Sequence, residues 1–151
     1  MFKRILVPVD GSPTSNKALT AALQLARDCG ARVRLLHALD EFVFVGMYEY
    51  SPNLAEVVRD GAKKVLADAL EIAKSAGVEA DTRMVNEPGQ RLGDTVALEA
   101  TQWGADLVVL GTHGRRGFSR IVLGSGAEEI IRGATVPVLT IRGDEKPASG
   151  A

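Results

Sequence analysis

Residues 107–125 read LVVLGTHGRRGFSRIVLGS. Leu107, Val108, Val109 and Leu110 present no polar face, as expected of a central strand covered on both sides in a parallel sheet. Gly111–Gly124 follows as a long loop rich in glycine and arginine, and Ser125 opens a short helix. Ser125 and Glu128 stand at capping-box spacing, and Gly133 closes the helix. Strand, glycine-rich loop and helix in that order make an α/β unit.

The same alternation extends in both directions. Lys3–Val9 (KRILVPV) is a β-rich run ending in the turn signal Asp10-Gly11-Ser12-Pro13. Helical periodicity begins near Thr14, with Ser12, Thr14 and Ser15 as candidate N-caps and Gly30 as the stop. Arg32–Ala38 is a second strand. Asp40–Pro52 is irregular and rich in Phe, Tyr and Met. A second helix covers about Asn53–Ala76, with Leu54, Val57, Val58, Ala62, Leu66, Ala69 and Ala73 on its apolar stripe. Val78–Val85 alternates apolar and polar residues, as an edge strand does. A third helix covers about Leu92–Trp103. Val136–Ile141 is the last strand, and Pro137, lacking an N–H, favours an edge position. The expected fold is therefore α/β, a three-layer sandwich of five parallel strands and four helices, in the order 3-2-1-4-5. That order puts the topological switch between strands one and four, where open α/β sheets bind ligands beyond their carboxyl ends. Asp10-Gly11-Ser12 and the loop to Ser125 converge there.

Composition sets the outer limits. The chain has 151 residues, with 46% hydrophobic and 25% charged, the profile of one globular domain. We expect that domain over residues 1–142 and a disordered tail over 143–151. Eighteen basic residues against nineteen acidic give a net charge of −1, which supports no nucleic-acid role. No apolar run approaches the ~18 residues that a membrane span needs, and Ile5–Val9 is too short for a signal-peptide core. Cys29 is the single cysteine, so no internal disulfide forms and a cytoplasmic location is the default expectation.

The loop after the fourth strand carries the chemistry. Its glycines let backbone N–H groups approach an anion, and Gly124-Ser125 stands at a helix N-terminus, where unpaired N–H groups and the helix dipole favour phosphate. A solvated loop with an ordinary cap is the alternative reading. The segment contains no lysine and no P-loop motif, and Glu129 stands where a Rossmann fingerprint needs its third glycine. His113 could approach phosphate or fix the loop by a hydrogen bond, and Arg115, Arg116 and Arg120 could neutralise phosphate charge or form a solvated face.

Gly111, Gly114, Gly124 and Ser125 match in full the motif G-x2-G-x9-G-[ST] of the ATP-binding subclass of the universal stress protein family. The KRILVPVDGS start, the LLHALDE stretch, the GADLVVLGTHGRRG block and the VPVLTIR ending also resemble that family. The resemblance spans nearly the whole chain. It implies the Rossmann-like, adenine nucleotide alpha hydrolase-like form of the sandwich reached above. It also implies ATP as the ligand, with or without Mg²⁺, while AMP or ADP would satisfy the same adenine contacts. Asp10 would contact the adenine end, where a carboxylate accepts from the exocyclic amine, with Pro8 and Val9 beside it. As a turn residue it would instead cap the next helix. Ala38 stands where the family often has an adenine-lining valine, and Leu110 matches an apolar wall. Gly111 and Gly114 would contact ribose and phosphates through backbone, and Arg115 would neutralise charge. Gly124 and Ser125 would hold the phosphates, with Gly126 and Ala127 adding N–H groups. Gly126 departs from the valine usual in the family.

Three functions follow from different premises. One is a stress-response or signalling module that binds ATP, with at most slow hydrolysis. Another is a slow ATPase or phosphoryl-transfer enzyme, which needs a metal and a positioned acceptor that the loop does not supply. The third is a protein-interaction module of the same fold. No catalytic residue is assigned, and the metal is left open. The exposed last strand suggests a homodimer paired edge to edge, and the family commonly forms such dimers.

Overall fold

Alternation inside the first strand, Arg4–Pro8 (β1), sets the layering. The computed structural model describes residues 1–39, 52–87, 89–112 and 124–143. After β1 the elements are α1 (Pro13–Cys29), β2 (Arg32–Ala38), α2 (Pro52–Ser75) and β3 (Ala80–Val85), then α3 (Leu92–Trp103), β4 (Leu107–Thr112), α4 (Ser125–Gly133) and β5 (Val138–Arg142). All strand pairs are parallel, in the order β3-β2-β1-β4-β5. The expected five-stranded sandwich and its switch point between β1 and β4 are both present.

Ile5 and Val7 of β1 turn to one face of the sheet with Val33, Leu35, Leu107 and Val109. There they meet Ala18, Leu19, Ala22 and Leu23 of α1 and Leu66, Ala69 and Ala73 of α2. Leu6, Leu36, Val108 and Leu110 turn to the other face, against Val96 and Ala100 of α3 and Ala127 and Ile130 of α4. Ile5, Leu6, Leu19 and Leu35 are wholly removed from solvent. Each such side chain contributes about 1.5–3 kcal/mol of transfer free energy. The lining of β4 on both faces explains why LVVL has no polar position.

Local chemistry fixes the helix ends. Ser12 caps α1 with its Oγ accepting from Ser15 N–H, Pro13 fills the first turn, and Gly30 closes the helix in the left-handed region at φ 69°. The buried row of α2 runs through Ala55, Ala62, Leu66, Ala69 and Ala73. Val57, expected on the apolar stripe, stands 64% exposed, because two residues beyond Ala55 lies on the opposite side of a 3.6-residue helix.

Strand limits differ from expectation by a residue or two in several places, β1 being Arg4–Pro8 and not Lys3–Val9. Val78 precedes β3, since its N–H donates to Ala73 O and belongs to the closure of α2. β5 begins at Val138, where Pro137 contributes its carbonyl to Val108 N–H. β4 runs on through Gly111 and Thr112, which pair with Ile141 and Arg142, so Gly111 is a strand residue and not a loop residue.

Candidate functional site

β1 and β4 are in register at two positions, Ile5–Leu107 and Leu6–Val108. Beyond them β1 stays paired to β2 as far as Pro8–Leu36, while β4 follows β5. The strands part at their carboxyl ends, and a cavity of about 370 Å³ lies in the crevice. That volume suits a small organic ligand.

One wall is the turn between β1 and α1. Asp10 N–H donates to Ser15 Oγ at 3.1 Å, Ser12 N–H donates to Asp10 Oδ1 at 2.8 Å, and Ser15 N–H donates to Ser12 Oγ at 3.1 Å. Gly11 turns through φ +82°, and a Cβ there would stand 3.2 Å from Val65 Cγ2. The sequence offered Asp10 as a helix cap or as a ligand group. The geometry gives it a turn role through Oδ1 and leaves the exposed carboxylate lining the cavity.

The end of β2 forms a second wall. Val9 N–H donates to Leu36 O at 2.8 Å, and His37 Nδ1 donates to Val9 O at 2.7 Å. A carbonyl only accepts, so the proton sits on Nδ1, and Nε2 of a neutral ring is an acceptor. Ala38, Leu36 and Leu110 add apolar surface.

Gly111 is held tight. A Cβ at this position would lie 2.6 Å from Thr14 O and 2.8 Å from Thr14 Cγ2. The first turn of α1 therefore packs directly on the β4 backbone, and this glycine is required by packing whatever binds nearby.

The N-terminus of α4 completes the cavity. Gly124 is its N-cap, with no side-chain cap hydrogen bond. Ser125 is the first helical residue, so the expected capping box is absent, and Glu128 pairs with Arg132 at 2.7 Å. The helix begins one residue early because the Gly124 carbonyl already accepts from Glu128 N–H. The N–H groups of Ser125, Gly126 and Ala127 have no acceptor within the helix. The two helix starts on the cavity differ in their caps. At α1, Ser12 satisfies Ser15 and Asn16, and Pro13 has no N–H to offer. At α4 no side-chain cap hydrogen bond forms among the described residues, and the helix dipole favours an anion.

Ten of the twelve residues singled out from sequence line this one cavity: Pro8, Val9 and Asp10 from the turn, Ala38, Leu110 and Gly111 from the strand ends, and Gly124, Ser125, Gly126 and Ala127 from α4. Gly114 and Arg115 lie outside the described residues, as do His113, Arg116, Arg120 and the aromatic residues Phe42, Phe44, Tyr48 and Tyr50. Thr14, His37, Leu92 and Ile130 also line the cavity and were not singled out as site residues. Leu92 and Ile130 read as ordinary stripe positions, and only the β3–α3 connection and the packing of α4 bring them here. Among the described residues no cluster of His, Cys, Asp and Glu could hold a metal ion.

Comparison with known proteins agrees with this architecture. The family model described as the universal stress protein family matches residues 1–142. A universal stress protein of Methanocaldococcus jannaschii is 34% identical over 148 residues, covering 97% of this chain and 85% of the relative. Among solved structures, the universal stress protein of Archaeoglobus fulgidus in complex with dAMP superposes with a TM-score of 0.70 at 25% identity, over 92% of this chain and 97% of that one. A universal stress protein in complex with cAMP superposes with a TM-score of 0.65 at 25% identity, over 93% and 97% of the two chains. A family match over residues 1–142, with a relative 34% identical over nearly the whole chain, establishes that this chain belongs to the universal stress protein family.

Proposed function

We propose that the crevice binds one adenine nucleotide, ATP included, and that the protein acts in the stress response as a nucleotide-binding or signalling module. The observation that carries this reading is the convergence of two chemistries on one cavity. Apolar side chains and the Asp10 carboxylate stand at one end, and the uncapped N-terminus of α4 stands at the other. A base with an exocyclic amine suits the first, and phosphates suit the second. The related structures holding dAMP and cAMP support it. By resemblance to the family motif, Gly114 and Arg115 join Gly124 and Ser125 around the phosphates.

Binding without efficient turnover is the form of this reading that we favour. Asp10 is the only carboxylate among the described residues lining the cavity, and its Oδ1 already holds Ser12 N–H. Phosphoryl transfer needs carboxylate or hydroxyl groups free to hold a metal and to position the acceptor. Residues 1–142 would form the binding unit. The sheet ends at β5, where Leu139 is 40% exposed, and pairing of two β5 edges would give a homodimer. Light scattering that reports a concentration-independent monomer would refute the dimer. No described helix is long and apolar enough to cross a membrane, and we assign the cytoplasm as the compartment because the chain has one cysteine.

Thermal unfolding of protein stripped of bound nucleotide tests the binding reading. At one hundred times its dissociation constant a ligand adds about 2.7 kcal/mol, a rise of roughly 5–10 °C for a domain of this size. ATP is expected to give that rise and GTP little. No rise at millimolar ATP would overturn the reading and leave a protein-interaction module.

A further inference from the structure

The nucleotide cavity has a neighbour. A second cavity of about 550 Å³ shares four residues with it: Ala38, Leu92, Ser125 and Gly126. The shared residues come from the end of β2 and the starts of α3 and α4, so the two compartments adjoin there. The second compartment has a composition of its own. Leu39 and Val85, at the ends of β2 and β3, add apolar surface on one side, joined backbone to backbone by Leu39 N–H to Val85 O at 2.9 Å. The other side is polar. Thr95, itself buried, donates through Oγ1 to Gln90 Oε1 at 3.1 Å, and Glu87 and the exposed Arg91 stand on the rim. Apolar side chains together with a held amide make a lining that suits a nucleobase.

The shared residues explain how the two could be joined. Ser125 borders both compartments and belongs to the helix start whose N–H groups have no acceptor within the helix. Arg91 borders the second compartment, and with Ser125 it also borders a shallower hollow beside α4. Ser125 and Arg91 thus border the same two hollows, which puts a cationic residue beside the helix start.

We propose that the two compartments form one bipartite site for a dinucleoside polyphosphate. One adenosine would occupy the Asp10 cavity, the phosphates would cross at Ser125 and Arg91, and the second nucleoside would lie between Leu39–Val85 and Gln90. This inference rests on the adenine-nucleotide reading and names a ligand class for the same site.

Titration calorimetry of the full chain, stripped of nucleotide, with ATP and with diadenosine tetraphosphate tests it. The linked ligand gains from an intramolecular second contact, so it should bind at least about tenfold tighter than ATP, a difference of ~1.4 kcal/mol. Val85→Phe, which adds bulk to the second compartment, should remove that advantage and leave ATP affinity unchanged. Arg91→Ala, at an exposed position, should reduce the advantage without lowering the melting temperature, which guards against a folding defect in the first variant. Equal affinities for the two ligands in the wild type would overturn the inference while the nucleotide reading stood. Equal loss of both ligands in a folded Val85→Phe variant would mean that a single nucleotide already spans both compartments, and would overturn it too. If neither ligand binds, both readings fall together.

Discussion

Gly111→Ala is the sharpest perturbation the architecture offers. The added Cβ would lie 2.6 Å from Thr14 O, 2.8 Å from Thr14 Cγ2 and 2.9 Å from Thr14 C. Ordinary contact begins near 3.4 Å, so the methyl group intrudes by roughly 0.8 Å on peptide atoms that cannot rotate away. Either the first turn of α1 lifts from β4, or the strand shifts against its pairing with Ile141. Overpacking costs about 1–3 kcal/mol, and a backbone neighbour puts this case near the top of that range. For about 150 residues each kcal/mol moves Tm by about 2–4 °C, so a fall of roughly 6–12 °C is expected in the absence of any nucleotide. Gly126→Ala is the control. Its Cβ would meet Leu92 Cδ2 at 2.9 Å, the mobile end of a side chain, and alanine adds as much as ~1 kcal/mol of helix propensity. A thermal melt should show Gly126→Ala within a few degrees of the parent. A Gly111→Ala melt indistinguishable from the parent would refute the claim that this glycine is held by packing.

Three further substitutions probe other parts of the account. Glu99 is buried and accepts from Arg34 Nη1 at 2.9 Å, with Arg83 Nε 3.4 Å away, while Arg34 also pairs with Asp81 and stacks 4.7 Å from the Trp103 ring. Glu99→Ala should cost about 1.5–3 kcal/mol in urea denaturation, because it removes a charged hydrogen bond at a buried position while Asp81 still holds Arg34; a loss below ~0.5 kcal/mol would contradict this. The hydrogen bond to Asp81, opposed by desolvation and helped by Glu99, holds the Arg34 pKa above the usual arginine value. Its stabilising effect is fully present below the unfolded arginine pKa and fades only as pH rises through the folded one, so the Glu99→Ala cost should not vary between pH 6 and 9 on account of Arg34. Ser12→Ala removes the α1 cap and should cost about 1 kcal/mol by the same denaturation assay. Ser125→Glu puts a negative charge at the α4 N-terminus. It should leave stability within ~1 kcal/mol of the parent and weaken ATP by more than about a hundredfold in a titration; unchanged affinity would remove the phosphates from α4.

The fold was legible because its signals are strong and local. LVVL without a polar position reads as a doubly covered strand, and the alternation before Val85 reads as an edge or partly exposed strand. The Ser12-Pro13 start and Gly30 stop of α1 were equally direct, since a hydroxyl cap, a proline without an N–H and a left-handed glycine each act within one turn. Misreadings arose where another partner, distant or within the same helix, overrode the pattern. Gly111 looks like the start of a loop, yet its pairing with Ile141 extends β4 through it. Ser125 and Glu128 have capping-box spacing, yet Arg132 takes the glutamate and the Gly124 carbonyl starts the helix. Leu92 and Ile130 carry only helix periodicity, so their place in the cavity follows from the docking of α3 and α4 on one face of the sheet. His37 carried no signal for its contact with Val9 O, because the two residues are 28 positions apart and meet only through the register of β1 and β2.

The central claim is that one cavity recognises adenine at the Asp10 end and phosphate at the start of α4. Equilibrium titration of nucleotide-free protein with ATP and then with GTP tests it most directly. The account predicts one saturable site per chain for ATP and at least about tenfold weaker binding of GTP, whose carbonyl would face the Asp10 carboxylate in place of an amine donor. Equal affinity for the two nucleotides would contradict the role given to Asp10, and no binding of either would contradict the claim outright.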